Sequence, residues 1–353
     1  MNQKRNFSWI FAPIAMAILI LDTKTAYFAA IDGINMCMRS VVPSLFPFIV
    51  ISSLTTKALL GRFRKLLRPL GKLCRIPEGC ESLLLTGFLG GYPVGAQCIY
   101  QAYCAGSISR KDAERMIGFC NNAGPSFIFG IVGSLFSNSW IPWILWGVHI
   151  LSALIVGIIL PGSAADPCRT LNSQKTTLVK SISGSIKTMA NICGFVLLFR
   201  VIISYADKYI LLLLPQYLSI TITGLLELTN GCLALQNIAG EHVRFLICTA
   251  LLSFGGICIT LQTAAVTEGL DTRFYFPGKV MQCCISVLFA ELLVPLVFNN
   301  AKFYVSLLII PVCVLIFVSY FQNCTDSKKS IAFSQNMIYN GKKSNIRGNY
   351  HAL

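Results

Sequence analysis

The sequence predicts an all-α polytopic membrane protein with about eight transmembrane helices, two re-entrant broken hairpins and an inverted-topology repeat. Composition is the first reason: 55% of the 353 residues are hydrophobic and 12% are charged, whereas soluble domains carry about 25% charged residues. Apolar stretches of roughly 20 residues, the length that crosses a bilayer, recur along the chain. Basic residues cluster between these stretches, as they do in the cytoplasmic loops of membrane proteins.

The apolar stretches provide the candidate crossings. The first is short and follows Lys4 and Arg5, but no A-x-A cleavage site follows it, so we expect a retained first span. Residues 22–40 carry charges of both signs and predict an interfacial helix. The stretches are 7–21, 41–60, 82–104, 116–136, 143–161, 188–204, 210–238, 245–267, 280–298 and 303–321.

The net charge of +15 is concentrated in the loops. Loops 61–81 and 162–187 and the tail 322–353 are basic, so all three are predicted on the cytoplasmic side. Both termini are then cytoplasmic, and the expected location is the cell membrane, with multiple passes. No polar domain is present to carry a nucleic-acid surface, so nucleic-acid binding is not expected.

The distribution of basic loops requires two of the apolar stretches to be re-entrant, each entering the membrane and leaving it on the same face. Between loops 61–81 and 162–187 lie three stretches, and three crossings would place the second loop outside. Stretch 82–104 is the candidate hairpin, because glycines and a proline break its helix in the middle. By the same reasoning stretch 217–238 is a second hairpin, which enters from the opposite face.

Two halves then share one order of elements: span, broken hairpin, span with a central glycine break, span. Their opposite starting sides are typical of the inverted repeats of secondary transporters. The predicted domains are 1–40 (N-terminal span and interfacial helix), 41–161 (first repeat), 162–187 (cytoplasmic linker), 188–298 (second repeat), 299–321 (final span) and 322–353 (disordered basic tail).

The broken segments are the candidate solute site. Non-helical backbone at membrane depth is tolerated where it is buried in protein or lines a wet cavity. A site near the bilayer midplane is one interpretation, and tight packing turns or hydrogen bonds between helices are the other. The amides in the set suit a polar uncharged or zwitterionic solute. The predicted solute-binding residues are Gly90, Gly91, Tyr92, Pro93, Asn121, Asn122, Gly124, Pro125, Ser126, Glu227, Thr229, Asn230, Ser253 and Gln262.

Glu227 is an acid inside an apolar stretch, and intramembrane acids are functional by default. It could hold a proton, a sodium ion or a cationic group of the solute; the alternative is an ion pair with Arg200. No metal or cofactor is predicted beyond a coupling ion, H⁺ or Na⁺. Ser126 and His149 have the residue types of a serine–histidine protease dyad, but Phe127 replaces the expected glycine, so no enzyme is expected.

Three motifs, in order along the chain, carry a family resemblance. They are Gly90–Ala96 (GGYPVGA), Cys120–Pro125 (CNNAGP) and Leu225–Gly231 (LLELTNG). Over about residues 40–300 the chain resembles the sporulation integral membrane protein YlbJ family, within the wider nucleoside-recognition (Gate) domain group. The resemblance implies a spore-forming bacterium and a role in making the spore envelope.

The predicted function is therefore a transporter or permease of a small polar solute, nucleoside-like or other, that is needed for spore envelope formation. The alternative is a non-transporting membrane scaffold or assembly factor in sporulation. The expected partners are the lipid bilayer, the small solute, and a second copy of the chain or other sporulation membrane proteins.

Overall fold

The structure is a computed structural model that describes residues 8–59, 64–162 and 177–298. Within these ranges every regular element is helical, which confirms the all-α prediction for the described part of the chain. The α-helices are α1 (Ser8–Leu21), α2 (Thr23–Met36), α3 (Val42–Leu59), α4 (Arg64–Leu73), α5 (Ser82–Leu89), α6 (Val94–Cys104), α7 (Arg110–Cys120), α8 (Pro125–Gly130), α9 (Ile141–Ile159), α10 (Leu178–Tyr209), α11 (Gln216–Leu226), α12 (Leu228–Ala234), α13 (Glu241–Phe254), α14 (Gly256–Val266) and α15 (Tyr275–Val297).

Helical segments long and apolar enough to cross a bilayer number 5 among the described residues. The polytopic class is thus confirmed, while the count of about eight crossings stays a prediction. The shortfall has three sources: α1 is shorter than a full span, stretch 116–136 is broken into α7 and α8, and stretch 303–321 lies outside the described residues. The segments are Thr23–Ile51, Ile141–Ile159, Leu178–Tyr209, Glu241–Val266 and Tyr275–Val297.

Helices α2 and α3 form one continuous run, joined by a π-helical turn at Cys37–Val41. The boundary predicted at residue 40, between an interfacial helix and a span, falls inside that turn. Helix α2 packs closely on α10 at Gly33, where an added Cβ would lie 3.2 Å from Leu197 Cα. Beyond its N-terminus, Asp22 accepts a hydrogen bond from Lys208 Nζ at 2.6 Å, and this contact lowers the pKa of Asp22 to about 2.

The first hairpin consists of α5 and α6, whose 8 and 11 residues extend only about 12 and 16 Å. Neither helix alone crosses a hydrocarbon core of about 30 Å. A Cβ at Gly87 or at Gly95 would overlap the carbonyl oxygen of Cys120, so both helices approach the end of α7 closely. The residues between the helices, 90–93, form the tip of this hairpin.

The second hairpin consists of α11 and α12, which meet at Glu227. Glu227 has extended backbone, with φ −143° and ψ 120°, which ends one helix and begins the next. A Cβ on Gly231 would overlap Gly224 Cα, so the hairpin closes glycine against glycine. The break predicted in stretch 217–238 is therefore present.

Each hairpin is followed by a broken helix. Helices α7 and α8 are separated by residues 121–124, with extended backbone at Asn121 and Gly124. Helices α13 and α14 are separated at Gly255 and Gly256, whose φ values of +85° and +82° favour glycine. An apolar core of side chains from α8, α9, α12, α13 and α15 packs beside these breaks.

The linker predicted over 162–187 is shorter than expected. Helix α10 begins at Leu178, ten residues before the predicted start of the second repeat, and Thr177 Oγ1 caps it by accepting the Lys180 amide at 3.3 Å. The predicted final span, 299–321, and the predicted tail, 322–353, lie outside the described residues.

Candidate functional site

A cavity lies where the first hairpin tip, both broken helices and the bend of the second hairpin meet. Two long helices, α3 and α10, complete its wall. Of the described residues that form the wall, Glu227 alone has a carboxylate or a basic side chain. The wall consists of Leu45, Ile49, Gly90, Gly91, Tyr92, Ala123, Gly124, Ser126, Phe127, Ile192, Val196, Glu227, Leu228, Thr229, Ile259 and Gln262.

The cavity is small in this conformation. The centre of a water molecule can reach about 40 Å³ of it. At about 10–15 Å³ for each water, that space holds roughly three molecules. Pockets for drug-sized ligands are typically about 300–1,000 Å³, so a large solute requires the wall to open.

Glu227 is 2% exposed and faces the cavity. Its Oε2 accepts hydrogen bonds from the backbone amide and the side-chain Nδ2 of Asn230, at 2.7 and 2.8 Å. Arg200, the alternative ion-pair partner, instead contacts Asp32 at 3.4 Å. Within the described residues, Glu227 therefore has amide partners and no basic partner.

Uncharged oxygens surround the same space. Ser126 and Gln262 are each 4% exposed and line the wall. Gln262 donates its Nε2 to Cys258 Sγ at 3.3 Å, which leaves its carbonyl oxygen as the free end of the amide. Thr229, 6% exposed, adds a second hydroxyl on the Glu227 side.

The first hairpin tip packs against both broken helices. Gly91 has φ +77°, and a Cβ there would lie 3.2 Å from the Gly124 amide nitrogen. Tyr92 donates its hydroxyl to the Leu252 carbonyl at 3.3 Å. The same hydroxyl lies 3.2 Å from the position of a Cβ on Gly255, so any larger residue there would displace Tyr92.

Asn121 joins the two halves of the chain. Its Oδ1 accepts the Ala96 amide at 3.2 Å, and its Nδ2 donates to Thr263 Oγ1 on α14 at 2.9 Å. Asn121 is fully buried, so both bonds are shielded from water. This side chain fixes the first break to the first hairpin and to the second broken helix.

A buried polar cluster lies beside the breaks, outside the cavity wall. Lys279, 1% exposed, donates to Asn122 Oδ1 at 3.2 Å and to Gln282 Oε1 at 2.8 Å. Its Nζ also lies 5.1 Å from the centre of the Tyr92 ring, within range of a cation–π interaction. Among the described residues Lys279 makes no ion pair, so its neighbours solvate the ammonium without neutralising it.

His149 continues this cluster. Its Nε2 accepts the Ala123 amide at 3.0 Å, so a neutral ring carries its proton on Nδ1, which lies 3.3 Å from Ser253 Oγ. Ser253 contacts Ser286 at 2.6 Å. The ring nitrogens of His149 thus face Ala123 and Ser253 and not Ser126, the other residue of the dyad considered above.

The predicted site residues fall into two groups. Those that line the cavity are Gly90, Gly91, Tyr92, Gly124, Ser126, Glu227, Thr229 and Gln262. The others hold the surrounding structure: Pro93 and Pro125 precede or begin α6 and α8, Asn121 and Asn122 bond across the breaks, Asn230 bonds Glu227, and Ser253 bonds His149 and Ser286.

Sequence reasoning missed the polar side of α15. Lys279 stands one residue before the predicted stretch 280–298, where it looked like a loop residue. The spacing of three polar residues could have revealed this side. Gln282 lies three residues after Lys279, and Ser286 lies four residues after Gln282, so all three share one face of a helix.

Comparison with known proteins gives one informative similarity. The chain is 26% identical over 324 residues to the sporulation integral membrane protein YlbJ of Bacillus subtilis (strain 168). The alignment covers 78% of this chain and 79% of that relative. No family model matches the chain, and no solved structure matches it.

Proposed function

The chain belongs to the family of the sporulation integral membrane protein YlbJ, and on that premise we propose that it is a permease that moves a small polar solute across a membrane during sporulation. The wider Gate grouping, with its expectation of a nucleoside-like solute, belongs to this proposal. So does the link to spore envelope formation.

The observation that carries the proposal is the cavity between the broken segments. Three breaks in otherwise apolar segments line one space, α14 adjoins it after the fourth break, and a buried acid faces it. Discontinuous helices that meet at a polar site are typical of secondary transporters. A scaffold has no need for such a costly arrangement inside a bilayer.

We propose about eight crossings arranged as an inverted repeat. In the described part, each half has a long helix, a glycine-closed hairpin, a broken helix and a long helix, in that order. The first half runs through α3, α5–α6, α7–α8 and α9, and the second through α10, α11–α12, α13–α14 and α15. This shared order of elements supports the proposal that the two halves are repeats of one unit.

Contacts between loops agree with opposite orientations. Glu114, predicted inside, contacts Arg273 at 2.7 Å in the loop after α14, which is also predicted inside. The Ser137 amide, predicted outside, donates to Glu241 at 2.8 Å at the start of α13, also predicted outside. Asp22 and Lys208 likewise share one predicted face. Among the described residues, no ion pair joins opposite predicted faces.

The charges near the cavity bear on the solute class. Lys279 is a buried cation without a carboxylate partner among the described residues, and a bound anionic group would compensate its charge. The amide oxygens of Asn122 and Gln282 accept hydrogen bonds from this ammonium but carry no formal charge. The proposed solute is therefore small and polar, and solutes with a negative group are to be tested alongside nucleosides.

The test is solute profiling of membrane vesicles with and without the protein, followed by two substitutions. Glu227→Gln and Asn122→Ala should each reduce solute flux about tenfold or more, the effect of losing an interaction of about 1.4 kcal/mol. The amount of protein in the membrane should not change. The exposed residues Glu268 and Asn237 provide matched controls, Glu268→Gln and Asn237→Ala, which should leave flux intact.

The scaffold alternative predicts a different pattern. A scaffold should tolerate Glu227→Gln and Asn122→Ala, yet fail in sporulation when the basic loop 61–81 or the tail is altered. If both substituted proteins kept the solute flux of the wild type, and sporulation failed only when the loop or the tail was altered, transport would be the wrong function.

A further inference from the structure

We propose that the cavity binds a monovalent metal cation, Na⁺, through the carboxylate of Glu227 together with neutral oxygens of Ser126, Thr229 and Gln262. The inference rests on the proposed permease function and adds a coupling ion to it. It concerns the cavity alone, and the Lys279 cluster takes no part in it.

The first argument is charge. Glu227 Oε2 accepts hydrogen bonds from Asn230, and the carboxylate also interacts with the amide and hydroxyl of Thr229. All of these partners are neutral. A buried carboxylate needs a counter-charge or a proton, and the described residues of the cavity wall include no basic side chain. A cation that binds the carboxylate from the cavity would neutralise the acid.

The second argument is the type of neighbouring atom. Hard cations take oxygen ligands from carboxylates, hydroxyls, amide carbonyls and backbone. Ser126, Thr229 and Gln262 supply the uncharged oxygens, and the free carbonyl of Gln262 follows from its Nε2 bond to Cys258. Glycines 90, 91 and 124 expose backbone at the wall because they lack side chains.

The third argument is size. The space of about 40 Å³ open to water centres suits an ion with one or two waters and excludes a solute of ordinary ligand size. A single positive charge matches the single carboxylate. A divalent ion would retain an uncompensated charge in the membrane, since the described wall residues include no second acid.

The ion would connect three elements. Glu227 and Thr229 belong to the bend and second helix of the second hairpin, Ser126 to α8, and Gln262 to α14. Binding would therefore hold the second hairpin to both broken helices. Release would let these elements separate, which gives the ion control over the opening that a larger solute requires.

The experiment measures Na⁺ binding by the purified full chain in detergent, without any solute. We expect NaCl to raise the Tm by about 5 °C relative to KCl or choline chloride at equal ionic strength. Calorimetric titration with NaCl should show saturable heat. Glu227→Gln should abolish both signals, and Glu268→Gln, an exposed acid, should keep them.

The Glu227→Gln protein could fail to fold, so two further variants, Gln262→Ala and Ser126→Ala, test the site independently. Each should keep the fold and weaken the Na⁺ response several-fold. Equal Tm values in NaCl, KCl and choline chloride would overturn the proposal, as would a response that survives in folded Glu227→Gln. A Tm that rises at low pH but not with NaCl would also overturn it, because the occupant of the site would then be a proton.

This result is separable from the permease test. Na⁺ binding without flux of any solute would refute the permease and leave the ion site standing. Solute flux that is unaffected by Na⁺, with no Na⁺ binding, would refute the ion site and leave the permease standing.

Discussion

At the scale of single residues, close backbone contact and buried charge determine what the site tolerates. Gly231 meets Gly224 with no room for a methyl group, and its neighbour in that contact is backbone, which cannot rotate away. Lys279 is as fully buried as the core leucines, but its ammonium is held by amides and an aromatic ring. The buried charge is costly inside a membrane, whereas the glycine contact lets two helices approach closely.

Gly231→Ala should prevent the second hairpin from closing. Overpacking a tight contact typically costs about 1–3 kcal/mol, so we expect a Tm lower by several degrees and less protein in the membrane. Gly147→Ala is the matched control, because a Cβ there meets nothing within 4 Å. Thermal unfolding of both purified variants is the measurement. Equal Tm values for the two would show that the glycine contact is unimportant.

Lys279→Met should separate function from stability. An unpaired buried ammonium carries a desolvation cost, which an apolar side chain of similar size removes. We therefore expect the Tm to be kept or raised while solute flux falls. Flux measured in vesicles containing equal amounts of protein tests this. A variant that unfolds would indicate a structural role for the ammonium, and unchanged flux would remove Lys279 from the transport site.

At the scale of elements, the breaks were predictable and the helix lengths were not. Glycines and a proline at 87–95, and glycines with polar residues at 224–231, predicted both hairpins, because several helix-disfavouring residues close together make a continuous helix costly. The early start of α10 at Leu178 was missed, since Lys180, Lys187 and several serines resemble a loop. These polar residues are accommodated on a helix that packs on its neighbours.

Glu114 joins α7 to the loop between α14 and α15. It is 2% exposed and accepts bonds from Arg110 Nε at 2.8 Å, Arg273 at 2.7 Å and the Asp271 amide at 3.1 Å. Burial raises the pKa of this carboxyl, but the hydrogen bonds from Arg110, Asp271 and Arg273 outweigh it, and the pKa is lowered overall. The ionised form therefore stabilises the fold.

Glu114→Gln should lower stability by about 1–3 kcal/mol at neutral pH, the cost of removing a charge-assisted hydrogen bond. The contribution is present above the ordinary glutamate pKa of about 4.3 and is lost as the pH falls through the lower folded-state value. The Tm difference between wild type and variant should thus shrink only in strong acid. A difference that vanishes between pH 8 and about 6 would contradict this assignment.

At the scale of the whole molecule, composition and charge predicted the membrane class and the order of elements. They could not predict which residues meet, because contacts such as Asn121 with Thr263 join positions far apart in the sequence. The cavity and the Lys279 cluster both arise from such contacts. The sequence-based site stays a prediction: its residues lie in the broken segments beside the cavity, but the sequence could not separate cavity residues from supporting ones or include α15.

The arrangement of the two halves determines where the cavity can open. If the halves are inverted, the first hairpin enters from the cytoplasm and the second from the opposite side. The cavity between them could then be exposed to each side in turn, as alternating access requires. Halves in the same orientation would place both hairpins on one face and leave no path across.

The most direct test is labelling with a membrane-impermeant thiol reagent in intact cells. Lys111, after the first hairpin, and Asn237, after the second, are both exposed and serve as the probes. The unsubstituted chain provides the background, which includes exposed Cys104. We predict labelling of Asn237→Cys in intact cells, and of Lys111→Cys only after the membrane is opened. Labelling of both positions from the same side would contradict the inverted arrangement and the permease built on it.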